Sequence, residues 1–258
     1  MARKSPLAEK LEEVRGRIAE AAIRAKRDPK EVTLLAVTKT VGPEQIRELL
    51  SLGVHDLGEN RPQQLVQRAA QLQELLTRRS TYGEAEPAPE KTRWHMIGHL
   101  QRNKAKPLLP LISMIHSIDS LRLAEELDAQ ALKIDRRIPV LMQLNASEES
   151  QKSGVAVGAA VHLAEQIDSM PNLQIMGLMT MAEFTDDQSK IQNTFSRTRE
   201  VFEEMKWHKI GGANLKHLSM GMSNDFELAI SEGATMVRIG SLLFGGKAEA
   251  DHHAEKDE

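Results

Sequence analysis

Val32-Thr33-Leu34-Leu35-Ala36-Val37, followed by Thr38-Lys39-Thr40, is the stretch on which the fold turns. The run is short, apolar except for one threonine, and preceded by the breaker Asp28-Pro29. It shows no polar/apolar alternation of the kind a strand with one wet face would have. A continuous run of this length suits a strand buried on both sides, the habit of parallel sheets covered by helices. Upstream, Leu7, Leu11, Val14, Ile18, Ala21 and Ala22 recur at helical spacing with charges between them, which predicts a helix from Leu7 to Ala25. Asp28-Pro29 stops it, because proline disfavours helical backbone in the residue before it.

Downstream the pattern repeats. Strands are expected at 32–38, 54–57, 93–97, 113–117, 137–144, 173–180, 216–219 and 235–239. Helices are expected between them, at 43–52, 61–76, 102–109, 120–133, 157–168, 187–206 and 224–232. Short apolar strands alternating with helices make βα units on a parallel sheet. Eight units with few residues left over favour a closed, TIM-type (β/α)8 barrel with an extra N-terminal helix. An open doubly wound sheet stays an alternative, because the stretches 54–57 and 216–219 are faintly patterned. Arg78 to Thr92 is polar, with Pro and Gly, and reads as a surface loop. The domain is expected to be 1–246, with 247–258 a charged tail lacking apolar periodicity. His252-His253 in that tail reads as solvated rather than as a metal site.

Composition narrows the class. The chain has 258 residues, and 34 Lys+Arg against 37 Asp+Glu leave a net charge of −3. That balance has no polyanion-binding footprint, so nucleic acid is not an expected partner. There is no cysteine, which excludes disulfides, thiolate metal sites and a Cys nucleophile. The N-terminus is charged and then amphipathic, unlike a secretory signal. The longest apolar run, near Leu108 to Ile115, is interrupted by Pro110 and Ser113, too short for a bilayer. A soluble cytoplasmic protein is expected, a monomer, with a dimer as the alternative.

In a barrel, the residues that end the strands line the active mouth. The first is Lys39. Burial and neighbouring cations both disfavour a charged ammonium, and an uncharged amine attacks a carbonyl to form a Schiff base. The competing reading is a strand-end lysine snorkelling to solvent. The last strand gives Arg238-Ile239-Gly240-Ser241, whose backbone N–H groups and hydroxyl suit a phosphate. Loops after strands 7 and 8 often hold one in barrels. Against this, the glycines simply end the strand and Arg238 pairs with a carboxylate. Strand 7 ends in His217-Leu-Ser219-Met-Gly221-Met-Ser223-Asn224-Asp225. Ser223 or Asn224 is a candidate N-cap, with Glu227 completing a capping box on Asn224, and the new helix start favours an anion. Asn60, after strand 2, caps a helix with Gln63 or touches a ligand. His95 alternates into its strand and reads as a satisfied interior histidine. Gly98 permits close backbone approach. Asn145, Glu148, Lys152 and Gly154 are mouth residues or solvated loop positions. Met176, Met179 and Met181 read as core or mouth filling. There is no HExxH, GxSxG, GxxxxGK[ST] or GxGxxG pattern, and no metal ligand is assigned.

AVTKT (36–40), GEN (58–60), HMIGHLQRNK (95–104), ESQKSG (149–154), GLMTM (177–181), LSMGMSNDFELAI (218–230) and VRIGSLLFGG (237–246) stand in the order of a known family. The chain resembles the pyridoxal phosphate homeostasis proteins over about residues 5 to 246, and their fold is similar to the barrel domain of alanine racemase. The resemblance implies binding of pyridoxal 5′-phosphate (PLP) as an internal aldimine on Lys39. It places the phosphate against Ser223, Gly240 and Ser241, with Ser219 a further contact, Arg238 facing the pyridine nitrogen and Asn60 near the ring. It implies a carrier or regulator of vitamin B6 and amino-acid balance, with PLP-dependent apo-enzymes as candidate recipients and no established catalytic residue. Three departures stand out: Thr38 replaces the usual serine, Arg61-Pro62 replaces an aromatic residue and Val after GEN, and the 78–92 loop is longer than expected.

Two alternatives remain, a weak PLP-dependent racemase or lyase and a Schiff-base or phosphosugar barrel without PLP. Racemisation needs bases on both faces of the substrate carbon. Alanine racemase takes one from a tyrosine of a second domain, whereas the one tyrosine here is Tyr82 in the polar loop. A guanidinium facing the ring nitrogen also disfavours its protonation and weakens the electron sink. Both arguments favour a carrier.

Overall fold

The computed structural model describes residues 4–81, 92–149 and 153–245. Helix α1 (Pro6–Arg24) starts where Ser5 accepts a hydrogen bond from the Ala8 amide at 3.1 Å and Pro6 supplies a first residue that needs no partner. Its apolar stripe is buried, as the spacing predicts. Strand β1 (Thr33–Val37) is followed by α2 (Pro43–Ser51), and β2 (Asp56–Glu59) by α3 (Pro62–Thr81). The pattern continues with β3 (Arg93–Met96), α4 (Ala105–Leu108), β4 (Ile112–Ile118) and α5 (Leu121–Leu132). Strand β5 (Ile138–Asn145) leads through the two-residue β6 (Val155–Ala156) into α6 (Val157–Asp168). Then come β7 (Leu173–Met179), α7 (Gln188–Trp207), β8 (His217–Ser219), α8 (Phe226–Ser231), β9 (Met236–Ile239) and α9 (Ser241–Phe244).

Every ladder is parallel, in the order β4-β3-β2-β1-β9-β8-β7-β5, and a β4–β5 pairing closes the ring. The fold is therefore the closed eight-stranded barrel, not the open sheet; β6 pairs only with the end of β5. Alternate strand residues share a face, and the packing divides accordingly. Ile115, Val140, Met142, Leu178 and Val237 belong to the large shell between strands and helices. Met114, Leu141, Met179 and Met236 form a separate cluster with Met176 and Met181 against it, and by the same alternation this cluster fills the ring. Helix α1 covers α8: Arg17 reaches Glu227 at 3.1 Å, and Arg27 donates to the carbonyls of Ile230 and Ala234.

Some boundaries move. The second strand lies two residues later than expected. The expected helix 102–109 is a 3₁₀ turn, Arg102–Lys104, followed by the short α4. Helix α3 runs on through Thr81, so 78–81 is helix rather than loop; Arg78 pairs with Glu74 at 2.6 Å, and Arg78 and Arg79 suit the negative end of the helix dipole. The rest of that loop with Tyr82, apart from Thr92, lies outside the described residues, as do Lys152, Gly246 and the 247–258 tail. Gly177 sits at φ +152° within β7, where an added Cβ would lie 1.8 Å from the His217 carbonyl oxygen. Only glycine fits so close an approach. No described helix is long and apolar enough to cross a membrane.

Candidate functional site at the barrel mouth

The C-terminal ends of the strands open into a cavity of about 1410 Å³, above the ~300–1,000 Å³ usual for small-ligand pockets. Lys39, Asn60, Ser223, Arg238, Gly240 and Ser241 all line it. Their neighbourhood follows from the strand order, since β1 pairs with β9 and β9 with β8. Ala36 faces Ile239, so Lys39 and Ser241 leave adjacent strands on the same rim. Among the described residues, the side chains of Asn60, Ser223, Asn224 and Ser241 make no hydrogen bond to the protein. The rim thus presents uncommitted donors and acceptors beside a half-buried lysine.

The capping expectations fail, and their failure leaves these groups uncommitted. The N-cap position of α8 is Asp225, not Ser223 or Asn224; its side chain makes no capping bond into the helix, and its Oδ1 accepts instead from the preceding Met222 amide at 2.5 Å. Glu227, the expected partner of Asn224, is drawn away by Arg17 of α1. Asn60 likewise makes no bond to Gln63. Gly98 lies against it so closely that a Cβ would stand 2.2 Å from the Asn60 carbonyl oxygen.

Arg238 is 4% exposed and held on the floor of the cavity. One terminal nitrogen donates to the Ser219 carbonyl at 2.7 Å and to Ser219 Oγ at 2.9 Å; the other donates to the Thr180 carbonyl at 2.9 Å. A guanidinium has five N–H donors, so two remain beyond these three bonds. Burial lowers its pKa to about 10, opposed by the Asp225 charge, so it stays a cation near neutral pH. The expected carboxylate partner is therefore not what fixes it. Ser219 is wholly buried and does not line the cavity. It is a support for Arg238 rather than a rim group, because the alternation that puts Arg238 inside the ring puts Ser219 beneath it.

A second support lies under Lys39. Glu59 is fully buried; Thr38 Oγ1 donates to its Oε1 at 2.5 Å, and Arg68 Nε lies 3.1 Å from the same oxygen, an ion pair short of hydrogen-bond geometry. Arg68 also donates to the Lys39 carbonyl at 2.6 Å and to the Val41 carbonyl. Burial raises the Glu59 pKa, against the Thr38 hydrogen bond and the charges of Arg68 and Lys39. An arginine from α3 thus clamps the turn that carries the lysine.

Inside the ring, His95 is 3% exposed and bonded on both sides, as a satisfied interior histidine should be. Its Nε2 lies 3.1 Å from Asp56 Oδ1 and its Nδ1 2.9 Å from His116 Nε2. His116 Nδ1 lies 2.9 Å from Ser219 Oγ. Away from the site, Asn145 donates to the Glu149 carbonyl at 2.9 Å and Glu148 pairs with Arg197 at 2.6 Å. Arg68, Glu59, Thr180 and His116 escaped the sequence reading. Only His116 carried a signal: in β4 it shares a face with Met114.

A family model described as alanine racemase, N-terminal domain, matches residues 10–248. A pyridoxal phosphate homeostasis protein of Aquifex aeolicus is 38% identical over 92% of this chain and 96% of its own length. One from Escherichia coli K12 is 34% identical over 93% and 97%. PipY of Synechococcus elongatus, solved with PLP bound, aligns with a TM-score of 0.74 at 31% identity, covering 93% of this chain and all of that one. An alanine racemase of Clostridium difficile shares the fold at 13% identity, with a TM-score of 0.67. This chain belongs to the pyridoxal phosphate homeostasis protein family, built on the alanine racemase N-terminal domain.

Proposed function

We propose that this protein binds PLP at the barrel mouth through a Schiff base on Lys39 and serves intracellular PLP and amino-acid homeostasis. The observation that carries the reading is one cavity containing a lysine, a pinned guanidinium and uncommitted hydroxyl and amide groups on neighbouring strands. The donor set fits the group. Ser223 and Ser241 offer hydroxyls to a phosphate, with Gly240 leaving the backbone accessible. Asn60 has its amide available beside the ring position. PipY, a relative with PLP bound, supports the same assignment. When bound, the group supplies an aldehyde that condenses with a primary amine and releases water. Lys39 provides that amine, and the Arg68 clamp fixes its backbone. Arg238 keeps its charge and offers a hydrogen-bond donor without giving up a proton, which suits holding better than carbanion chemistry.

We take 1–246 as one cofactor-binding domain with 247–258 appended, the cytoplasm as its compartment, and PLP-dependent apo-enzymes as recipients. The test is a visible absorption band on mixing with PLP. The band is expected in the wild type and lost in Lys39→Ala; an unchanged band in that variant would overturn the assignment. Exchange of an amino acid's α-proton with deuterated solvent, well above the rate with free PLP, would replace the carrier reading with a racemase or lyase.

A further inference from the structure

We propose that His116 is a positioning residue for Arg238, acting through Ser219 as part of a one-way hydrogen-bond chain that crosses the barrel interior. The chain starts at the N-terminal ends of β2 and β3, across the ring from the cavity. Arg93 donates from Nε to Asp56 Oδ1 and from a terminal nitrogen to Oδ2, both at 2.7 Å. Burial works against the Asp56 charge, but the bonds from Arg93 and His95 outweigh it and hold the carboxyl well below its usual range. An ionised carboxylate only accepts, so His95 Nε2 carries the proton in that contact.

When each ring carries one proton, a single direction of donation satisfies every link. His116 stays neutral because burial, and next the positive charge of Arg238 and any that His95 or His217 takes up, oppose its protonation. With its one proton on Nε2, His95 accepts at Nδ1 and His116 Nε2 donates. His116 Nδ1 is left to accept, and the Ser219 hydroxyl at 2.9 Å is its donor. The Ser219 proton therefore points away from Arg238, and an oxygen lone pair faces the guanidinium at 2.9 Å. All dipoles run from the cation toward the Asp56 carboxylate. Without the His116 acceptor, the buried hydroxyl proton loses its partner and the oxygen that receives Arg238 is no longer fixed in direction, so one of the three bonds holding Arg238 is weakened.

This inference rests on the PLP reading for one arm of its test but not for the other. In the apoprotein, ¹⁵N spectra of the histidines near neutral pH are expected to show His95 and His116 protonated at Nε2 and bare at Nδ1. A proton on His116 Nδ1 overturns the chain whether or not the protein binds PLP. In the loaded protein, His116→Leu is expected to shift the pH titration of the visible band and weaken PLP about five- to tenfold, the scale of one buried hydrogen bond. His116→Gln, which keeps a donor and an acceptor, restores most of both. In a Ser219→Ala background His116→Leu adds nothing further; full additivity means His116 does not act through Ser219. Should His116→Leu fail to fold, Asp56→Asn reverses the far end without touching the cavity, and a smaller shift in the same direction is expected. An unmoved titration in Asp56→Asn, or in a folded His116→Leu, overturns the proposal. Absence of any band in the wild type, with the predicted tautomers intact, defeats the PLP reading alone.

Discussion

Replacing Arg68 with methionine tests how the lysine-bearing turn is held. The change keeps an apolar stem but removes both donors to the Lys39 and Val41 carbonyls and the counter-ion of Glu59. Hydrogen bonds from a charged donor contribute about 1.5–3 kcal/mol each, and stranding one partner of a buried ion pair costs about 3–5 kcal/mol. These terms do not add in full, because Glu59 escapes by taking up a proton, a step that its burial already favours. The expected loss is about 3–5 kcal/mol, a large share of a typical ~5–15 kcal/mol total. Urea unfolding near neutral pH measures it. Two further results follow from the stranded carboxylate. The double variant Glu59→Gln/Arg68→Met should lose at least ~1 kcal/mol less than the sum of the singles. The Arg68→Met deficit should also shrink on acidification. With its pKa raised in the fold, Glu59 costs stability most at pH above that raised value, and the cost disappears as pH falls below the ordinary glutamate value of about 4.5. A loss below ~1 kcal/mol with no coupling to Glu59→Gln would refute the clamp.

Gly98→Ala should lower both PLP retention and stability, since its Cβ would fall 2.2 Å from the Asn60 carbonyl oxygen and force the Asn60 backbone to shift; parallel binding and melting curves measure the two effects, and unchanged curves would contradict the close approach. Ser223→Ala/Ser241→Ala should weaken PLP but leave pyridoxal, which lacks the phosphate, unchanged; equal losses for both ligands would remove these serines from an anion site. Stability should fall on acidification below about 6.5, because His116 stays neutral in the fold while an unfolded histidine takes a proton there. The slope is up to ~1.4 kcal/mol per pH unit for one such group until the folded pKa is reached. Denaturant titrations across that range measure it, and a flat profile would contradict a buried neutral His116.

The barrel was legible because its signal is local. Runs such as Val32–Val37 and 137–144 fill both faces of a strand, and apolar helices alternate with them. The two faintly patterned strands are short, three and four residues, and are held by neighbours on both sides rather than by their own composition. The mouth was legible for a related reason: polar groups that follow an apolar strand have nowhere else to go. What stayed hidden was pairing across the ring. Nothing near Asn224 says that Arg17, some two hundred residues away, takes the glutamate meant for its cap. Likewise Ser219 looks like a rim serine until the register places it beneath Arg238 and beside His116. Gly177 shows the same limit, for its need of glycine comes from the neighbouring strand's carbonyl and not from its own segment.

The central claim is that one amine at the end of β1 carries the cofactor. Borohydride reduction of the PLP-loaded protein, followed by peptide mass mapping, tests it most directly. The account predicts one phosphopyridoxyl adduct per chain, on the peptide containing Lys39, and none after Lys39→Ala. An adduct on a rim lysine such as Lys104, or label spread over several lysines with Lys39 unmodified, would contradict it.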